Sequence, residues 1–273
     1  MIRPKNSHAY RKAMDFERFL SEVPIEKYRQ ELMSIKTVEQ DLPRRLNPLP
    51  DIYKHYWTEE DAQFPGYEEL FSEWWKSHLE PLDEFIAKFF WGCSRDFVYL
   101  GFKARIYRTI VSVWTQLHFC YLWKSYCKSP LEASPELDIQ GVDALVNLNG
   151  QQVIIQIKKE TYRSESRLRR RFAQQHAGRL SLEIPYTLRS AKDWYHSMFH
   201  SRTAHTREKA ELFYFCSSKL QRWLDNGFVV FSPQYPLLVE KLALELLQTS
   251  EKQYYDWRVT LKQLKSMAED ERV

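Results

Sequence analysis

Apolar and polar residues alternate on both sides of an Asn-Gly pair in GVDALVNLNGQQVIIQIKK, residues 141–159. Asn149 and Gly150 both tolerate the positive φ angles of a two-residue type I′ turn, so this pattern predicts a β-hairpin in which Leu148 faces Gln151. Side chains alternate between the two faces of a strand, and this register therefore makes one face wholly apolar. That face carries Ala144, Val146, Val153, Ile155 and Ile157.

The opposite face of the predicted hairpin gathers polar groups at the end away from the turn. Asp143 should lie across from Gln156, and Lys158 follows two residues later on the same face. Opposed Cβ atoms are about 4.5–5.5 Å apart, so a carboxylate, an amide and an ammonium group should converge there. Such groups are unfavourable in a largely apolar strand unless they are paired or used in chemistry.

Helical periodicity occupies most of the remaining chain. Residues 8–35 predict two short helices, of which the second begins near Pro24, a residue type favoured at a first helical position. Further helices are predicted over about 67–91, 95–125, 163–177 and 205–225, and after about 235. Two more strands are predicted at LSLEIPYTL and FVVFS.

This order of elements predicts an α/β fold with a mixed β-sheet flanked by helices and a mostly helical region before it. We expect a helical N-terminal region over 1–130, a catalytic core over 131–235 and C-terminal helices over 236–273, all in one compact unit.

The polar end of the hairpin has the layout of a metal-dependent nuclease of the PD-(D/E)xK type. In such a core an acid on one strand meets an acid-x-Lys on the next, and the carboxylates hold a divalent cation that activates water and neutralises the phosphate. This chain departs from the pattern at Val142, where proline is usual, and at Gln156, which replaces the second acid. An amide oxygen can bind a hard cation but brings no charge. The alternative is an ordinary cross-strand ion pair between Asp143 and Lys158.

The charge missing at Gln156 must come from another carboxylate. Asp138, in PELDIQGVD, is the best-placed candidate; Glu132 and Glu136 are less suitable, and Glu160 lies just beyond the strand. We therefore predict Asp138 and Asp143 as metal ligands. The predicted catalytic set is Asp138, Asp143, Gln156 and Lys158.

Positive charge is concentrated directly after the hairpin. The net charge is +4, yet residues 158–179 alone carry +6, from eight Lys and Arg against two Glu. A basic run beside a nuclease site suits DNA phosphates, whereas by itself it could be a solvated helix face. The candidate DNA-binding residues are Lys159, Arg163, Arg167, Arg169, Arg170 and Arg171.

Composition and motifs exclude several other classes of protein. The sequence contains 7 Gly and neither GxGxxG nor GxxxxGK[ST], which excludes a glycine-rich nucleotide-binding loop. Four Cys without a CxxC pair, a charged N-terminus and the lack of a membrane-length apolar run predict a cytoplasmic protein. His196, His200 and His205 lack a neighbouring Cys or an HExxH glutamate, so a surface helix is favoured over a zinc site.

Four segments closely resemble the TaqI-type type II restriction endonucleases: IKTVEQDLPRRLNPLPDIY, WGCSRDFVYLGFKARIYRT, LEASPELDIQGVDAL and QIKKETYRSE. The resemblance runs from about residue 15 to 188 and weakens beyond Ala191, where NGFVVF still aligns. It implies Mg²⁺-dependent cleavage of double-stranded DNA at TCGA, after the T, leaving a short 5′ overhang. It also implies that the acidic pair is Asp138 and Asp143, that the lysine is Lys158, and that Gln156 belongs to a Gln-x-Lys variant that the family shares.

A palindromic site is most simply read by a two-fold symmetric homodimer in which each subunit cuts one strand. A monomer that makes two sequential nicks is the alternative. The resemblance further implies a cognate DNA methyltransferase in the same system. Two other functions fit the same residues: a non-catalytic DNA-binding protein that uses the basic segment, and a structure-specific repair or recombination nuclease with the same core.

Overall fold

The computed structural model describes residues 2–35, 41–58, 63–161, 178–249 and 253–270. By its internal contacts the chain forms two compact units. The sheet unit comprises residues 1–14, 118–224 and 229–273, and the helical unit comprises 15–117 and 225–228. The sequence-based division at residues 130 and 235 stays a prediction.

Most described helices precede the sheet in the chain. They are α1 (Ser7–Glu22), α2 (Ile25–Leu32), α3 (Leu49–Tyr56), α4 (Tyr67–Ser77), α5 (Leu79–Phe89) and α6 (Arg95–Tyr126), with a 3₁₀ turn at Arg44–Leu46. The later helices are α7 (Pro135–Ile139), α8 (Ala191–His200), α9 (Ala204–Phe215), α10 (Gln234–Thr249) and α11 (Trp257–Asp270). None of these helices is long and apolar enough to cross a membrane.

Aromatic rings fill the core of the helical unit. Tyr28 packs against Tyr107 with ring centroids 4.8 Å apart, and Tyr56 meets Trp114 edge to face at 5.4 Å. Burial raises the pKa of Tyr28 and of Tyr107 to about 12, so both rings stay neutral. Pairs of this kind contribute about 0.5–1.5 kcal/mol beyond the area they bury. This packing accounts for the aromatic residues on several faces of α6.

A mixed five-stranded sheet forms the centre of the sheet unit, in the order β1-β2-β3-β4-β7. Its strands are β1 (Leu131–Glu132), β2 (Ala144–Leu148), β3 (Gln151–Lys159), β4 (Leu180–Tyr186) and β7 (Tyr254–Tyr255). The pairs β1–β2 and β2–β3 are antiparallel, while β4 runs parallel to β3 and to β7. A separate antiparallel pair joins β5 (Gln221–Trp223) to β6 (Val229–Phe231). The predicted mixed α/β architecture with a helical N-terminal region is confirmed.

The predicted hairpin register is also confirmed. Leu148 pairs with Gln151, and Ala144 pairs with Ile155. Asn149 and Gly150 have φ angles of 53° and 84°, as a type I′ turn requires. The five residues of the predicted apolar face are all buried.

One predicted helix ends earlier than the sequence suggested. The helix expected over 205–225 stops at Phe215, makes a π-helical turn over Cys216–Leu220, and gives way to β5. The amide of Gln221 explains the change, because its Oε1 accepts from the Thr187 backbone N at 3.1 Å and its Nε2 donates to the Thr187 carbonyl at 2.7 Å. A buried side chain thus holds this segment next to the end of β4.

The hairpin turn yields a stability test. Gly150 is exposed and an added Cβ would meet no atom within 4 Å, so Gly150→Ala tests backbone strain alone. We expect a loss of about 1–2 kcal/mol in the free energy of unfolding, measured with urea, because a Cβ disfavours the left-handed region. Asn149→Gly is the matched control and should change stability by less than about 1 kcal/mol. Equal losses in both variants would contradict the assigned turn.

Candidate nuclease site

Asp143 lies at the start of β2 and faces the end of β3. Its Oδ2 accepts a hydrogen bond from the Ile157 backbone N at 2.5 Å and lies 3.5 Å from Lys158 Nζ. The Asp143 side chain is 4% exposed and that of Lys158 is 17% exposed, so the pair is largely shielded from water. The hairpin therefore brings together the carboxylate and the ammonium group that its register predicted.

Gln156 occupies the position of the missing acid and is buried. Its Nε2 donates to the Gly141 carbonyl oxygen at 2.7 Å. This bond uses the donor end of the amide and turns Oε1 away from that carbonyl. The other polar atom of this side chain is its neutral oxygen, a ligand type that hard cations accept.

Asp138 is carried by the short helix α7, which directly precedes β2. The Ser134 hydroxyl caps this helix by accepting from the Leu137 backbone N at 3.3 Å. Gly141, with φ 80°, ends it and donates its N–H to the Asp138 carbonyl at 2.8 Å. This tight reversal returns the chain to β2 and leaves Asp138 half-buried, whereas Glu136 at the first turn of the helix is exposed.

Helix α6 contributes a lysine that the sequence reasoning missed. Burial raises the pKa of the Cys120 thiol; the charges of Asp143 and Asp138 add to the rise, and Lys124 acts against it. Asp143, Asp138 and Lys124 therefore all act electrostatically on the Cys120 thiol. Lys124 comes one helical turn after Cys120 and is half-buried. Its only sequence signal was a cation within an otherwise apolar stretch.

Strand β4 adds a buried carboxylate beside Gln156. The parallel register pairs Gln156 with Glu183, so both side chains share the polar face of the sheet. Glu183 accepts from the Tyr254 hydroxyl and, at 3.0 Å, from the Trp257 backbone N at the start of α11. It thereby links β4 to β7 and α11. The sequence signal for this residue was an acid in the middle of the predicted strand LSLEIPYTL. The strand prediction alone did not mark it as part of the site.

Most of the predicted DNA-binding residues fall in one segment that the structure leaves undescribed. Arg163, Arg167, Arg169, Arg170 and Arg171 lie outside the described residues. Lys159 is described, is half-buried, and pairs with Tyr186 at the end of the β3–β4 ladder. The charge run thus begins at the same end of the sheet as Lys158.

The donor set suits a hard divalent cation. Within the described part of the chain, no three His, Cys, Asp or Glu side chains cluster as a metal site would. Mg²⁺ is commonly held by one or two carboxylates, with waters and substrate phosphates filling its other positions. The predicted ligands, the carboxylates of Asp138 and Asp143 and the Gln156 amide oxygen, are of the chemical type that Mg²⁺ prefers and lack the Cys and His ligands of a closed zinc site.

Comparisons with known proteins identify close relatives. Residues 13–242 match the family described as TaqI restriction endonuclease. The chain is 51% identical over 227 residues to the Type II restriction enzyme TaqI of Thermus aquaticus, covering 82% of this chain and 85% of that protein. It is 49% identical over 223 residues to a second Type II restriction enzyme, from Thermus thermophilus, covering 81% and 83%. No solved structure matches. The family match reaches well beyond residue 191, where the sequence resemblance weakened.

The buried carboxylate yields a pH-dependent prediction. Burial raises the pKa of Asp143, although the Lys158 charge and the Ile157 amide act against that shift. The folded protein therefore keeps this proton to higher pH than the unfolded chain does, so the free energy of unfolding falls as pH rises from the unfolded pKa of about 3.9 through the folded value. Asp143→Asn removes this loss and can still accept from the Ile157 amide.

We expect metal-free Asp143→Asn to gain stability relative to the parent protein between about pH 4 and about pH 7.5. Urea unfolding in a chelator at both pH values measures the difference. A stability difference that is the same at both pH values would show that the Asp143 charge is not costly in the folded state.

Proposed function

Because the chain belongs to the TaqI restriction endonuclease family, we propose that it cuts double-stranded DNA at the palindrome TCGA, after the T of each strand, with Mg²⁺. It is a type II restriction endonuclease, a site-specific deoxyribonuclease that acts on double-stranded DNA and uses a divalent metal. Our proposal adds three points to this assignment: the DNA sequence that the enzyme reads, the identity of the metal and the role of each residue.

The convergence of Asp143, Gln156 and Lys158 at one end of a buried hairpin carries this proposal. A purely structural ion pair has no need of a second carboxylate on a dedicated helical turn, yet α7 supplies Asp138 directly before β2. We assign strands β1 to β4 of the mixed sheet to a PD-(D/E)xK core in residues 131–235, in which Gln156 takes the place of the usual acid; β7 adds to this sheet from outside that range.

Each of the proposed site residues has its own role in cleavage. Asp143 and Asp138 would hold the cation through their carboxylates, with Gln156 contributing its amide oxygen; the bound cation supplies positive charge and an acidic water. The Ile157 amide fixes the orientation of the Asp143 carboxylate. Lys158 holds the attacking water against the phosphate and offsets the charge that develops on the phosphate oxygens. The low exposure of the pair strengthens both interactions.

We propose a homodimer, because a two-fold axis presents one such site to each strand of a palindrome. Residues 158–179 contact the DNA phosphates in this proposal, and their net charge of +6 supports that role. A cognate methyltransferase that protects host DNA completes the proposed restriction-modification system in the cytoplasm of a bacterial or archaeal cell.

A digest of a sequenced plasmid tests the function directly. Discrete fragments that form with Mg²⁺, end at TCGA, and disappear when a chelator removes the metal are the expected result. Fragments that end at another word would overturn the TCGA specificity and keep the nuclease. Smeared products or junction-specific cuts would indicate a structure-specific nuclease. If the protein bound DNA but did not cleave it with any divalent metal, it would be a non-catalytic DNA-binding protein.

The residue assignments are tested by single substitutions in the same digest. Lys158→Ala should reduce the cleavage rate by about 10²–10⁴-fold, the range that a positioned acid–base group contributes. Asp143→Ala and Asp138→Ala should each abolish cleavage, with the far-ultraviolet circular dichroism unchanged. Glu132→Gln is the matched control on β1 and should cut at the parent rate. Normal cleavage by Asp138→Ala would remove Asp138 from the site, and loss of cleavage by Glu132→Gln would put Glu132 in its place.

A further inference from the structure

Helix α8 exposes a continuous stripe of aromatic and basic side chains. The positions are three or four residues apart and therefore lie on one face of the helix. We call them the α8 surface: Lys192, Tyr195, His196, Phe199 and His200. Tyr195 is 50% exposed and Phe199 is 66% exposed, and their rings contact each other at 4.9 Å. Large apolar groups in such exposed clusters mark binding surfaces.

The helix behind this surface is firmly fixed. Ser190 and Asp193 form a capping box at its start. On the inner face, the buried Trp194 donates from Nε1 to Thr187 Oγ1 at 3.0 Å, and the Arg189 guanidinium lies 4.0 Å from the Trp194 ring centroid. Tyr195 and Phe199 are therefore exposed on a helix whose start and inner face are held in place.

A series of contacts connects α8 to the polar face of the sheet, the face that carries Gln156 and Glu183. Glu183 shares its face with Gln156 and accepts from the Trp257 backbone N. The Trp257 ring packs on Phe213 of α9 at 5.1 Å, and Phe213 stacks on Trp194 of α8, also at 5.1 Å. From the polar face, the order outward is therefore α11, α9 and α8.

The start of α8 is also tied to the end of β3. The Glu160 backbone N donates to the Tyr186 carbonyl at 2.8 Å, and Glu160 Oε2 accepts from the Leu188 backbone N at 3.2 Å. The chain therefore leaves β4 next to the end of β3 and enters α8 within a few residues. This is the end of the sheet at which Lys158 lies.

The charge around the α8 surface indicates its partner. Residues 188–207 contain four Arg and Lys against one Asp, a net +3, together with three His. The acid, Asp193, is engaged in the capping box. A two-fold contact between identical copies would bring this positive charge against itself, and the cores of protein interfaces are depleted of charge. Duplex DNA offers about one negative charge per 1.7 Å of its axis.

We propose that the α8 surface contacts the DNA duplex beside the scissile phosphate. Lys192 binds phosphates together with Arg202, which is exposed two residues beyond the end of α8, while Tyr195 and Phe199 pack against sugars and base edges in the adjoining groove. Phosphate contacts set the register of a protein on DNA, and apolar contacts to base edges add sequence preference. At about 15 Å, the helix spans about four base pairs. The inference rests on the proposed function and adds a second contact region to the 158–179 segment.

The test measures affinity for a short duplex containing one TCGA, without metal, from about 50 to about 200 mM NaCl. The double variant Tyr195→Ser/Phe199→Ser should lose about tenfold in affinity at every salt concentration, since apolar contacts with sugars and base edges release no counterions. Lys192→Gln/Arg202→Gln should lower the slope of log affinity against log salt by about two. Circular dichroism and the thermal transition check that each variant folds.

Trp91→Ser is the matched control, because Trp91 is 90% exposed and belongs to the helical unit. It should bind as the parent does; an equal loss of affinity would overturn the assignment to α8. Unchanged DNA affinity in the aromatic double variant would also overturn it, and if sedimentation showed that this variant had become monomeric, the surface would be a contact between copies. Cleavage by the parent protein separates the proposed nuclease function from the proposed DNA contact of the α8 surface. If the parent protein cuts DNA while the α8 variants bind DNA normally, only the DNA contact of the α8 surface is refuted.

Discussion

The buried pair of Asp143 and Lys158 is the constraint around which the sheet unit is organised. A carboxylate with 4% exposure is tolerable because an ammonium group at 3.5 Å and a backbone amide at 2.5 Å compensate for lost water. The two groups that compensate Asp143, the Lys158 ammonium group and the Ile157 amide, both belong to β3, so the pair exists only when β2 and β3 meet in this one register. A slip of one residue would turn the apolar face outward and separate the charges.

The parts of the site that the sequence revealed are those fixed by short-range geometry. The Asn149-Gly150 turn and the alternation on each side of it set the facing pairs, and these in turn bring Asp143, Gln156 and Lys158 together. Asp138 could be selected because α7 begins and ends at local signals, the Ser134 cap and Gly141.

Other features depend on packing that no local pattern encodes. Lys124 acts together with Asp143 and Asp138 on the Cys120 thiol although it lies outside the hairpin, and Glu183 joins the polar face through the parallel pairing of β3 with β4. Likewise, the predicted helix over 205–225 was cut short by a hydrogen bond from Gln221 to Thr187, far away in sequence. The arginines after Lys159 lie outside the described residues, and their role stays a prediction.

The placement of all four proposed catalytic residues between positions 138 and 158 has a consequence for how the enzyme folds. Their contacts need only the closure of a short turn and a hairpin, events of low contact order that take about 1–10 μs in isolated hairpins. The ladder between β3 and β4 is parallel and must wait for a long connection to close. The four proposed catalytic residues therefore lie in a stretch whose contacts can form early in folding, whereas the pairing of β3 with β4 and the surfaces beyond it are completed by slower, long-range steps.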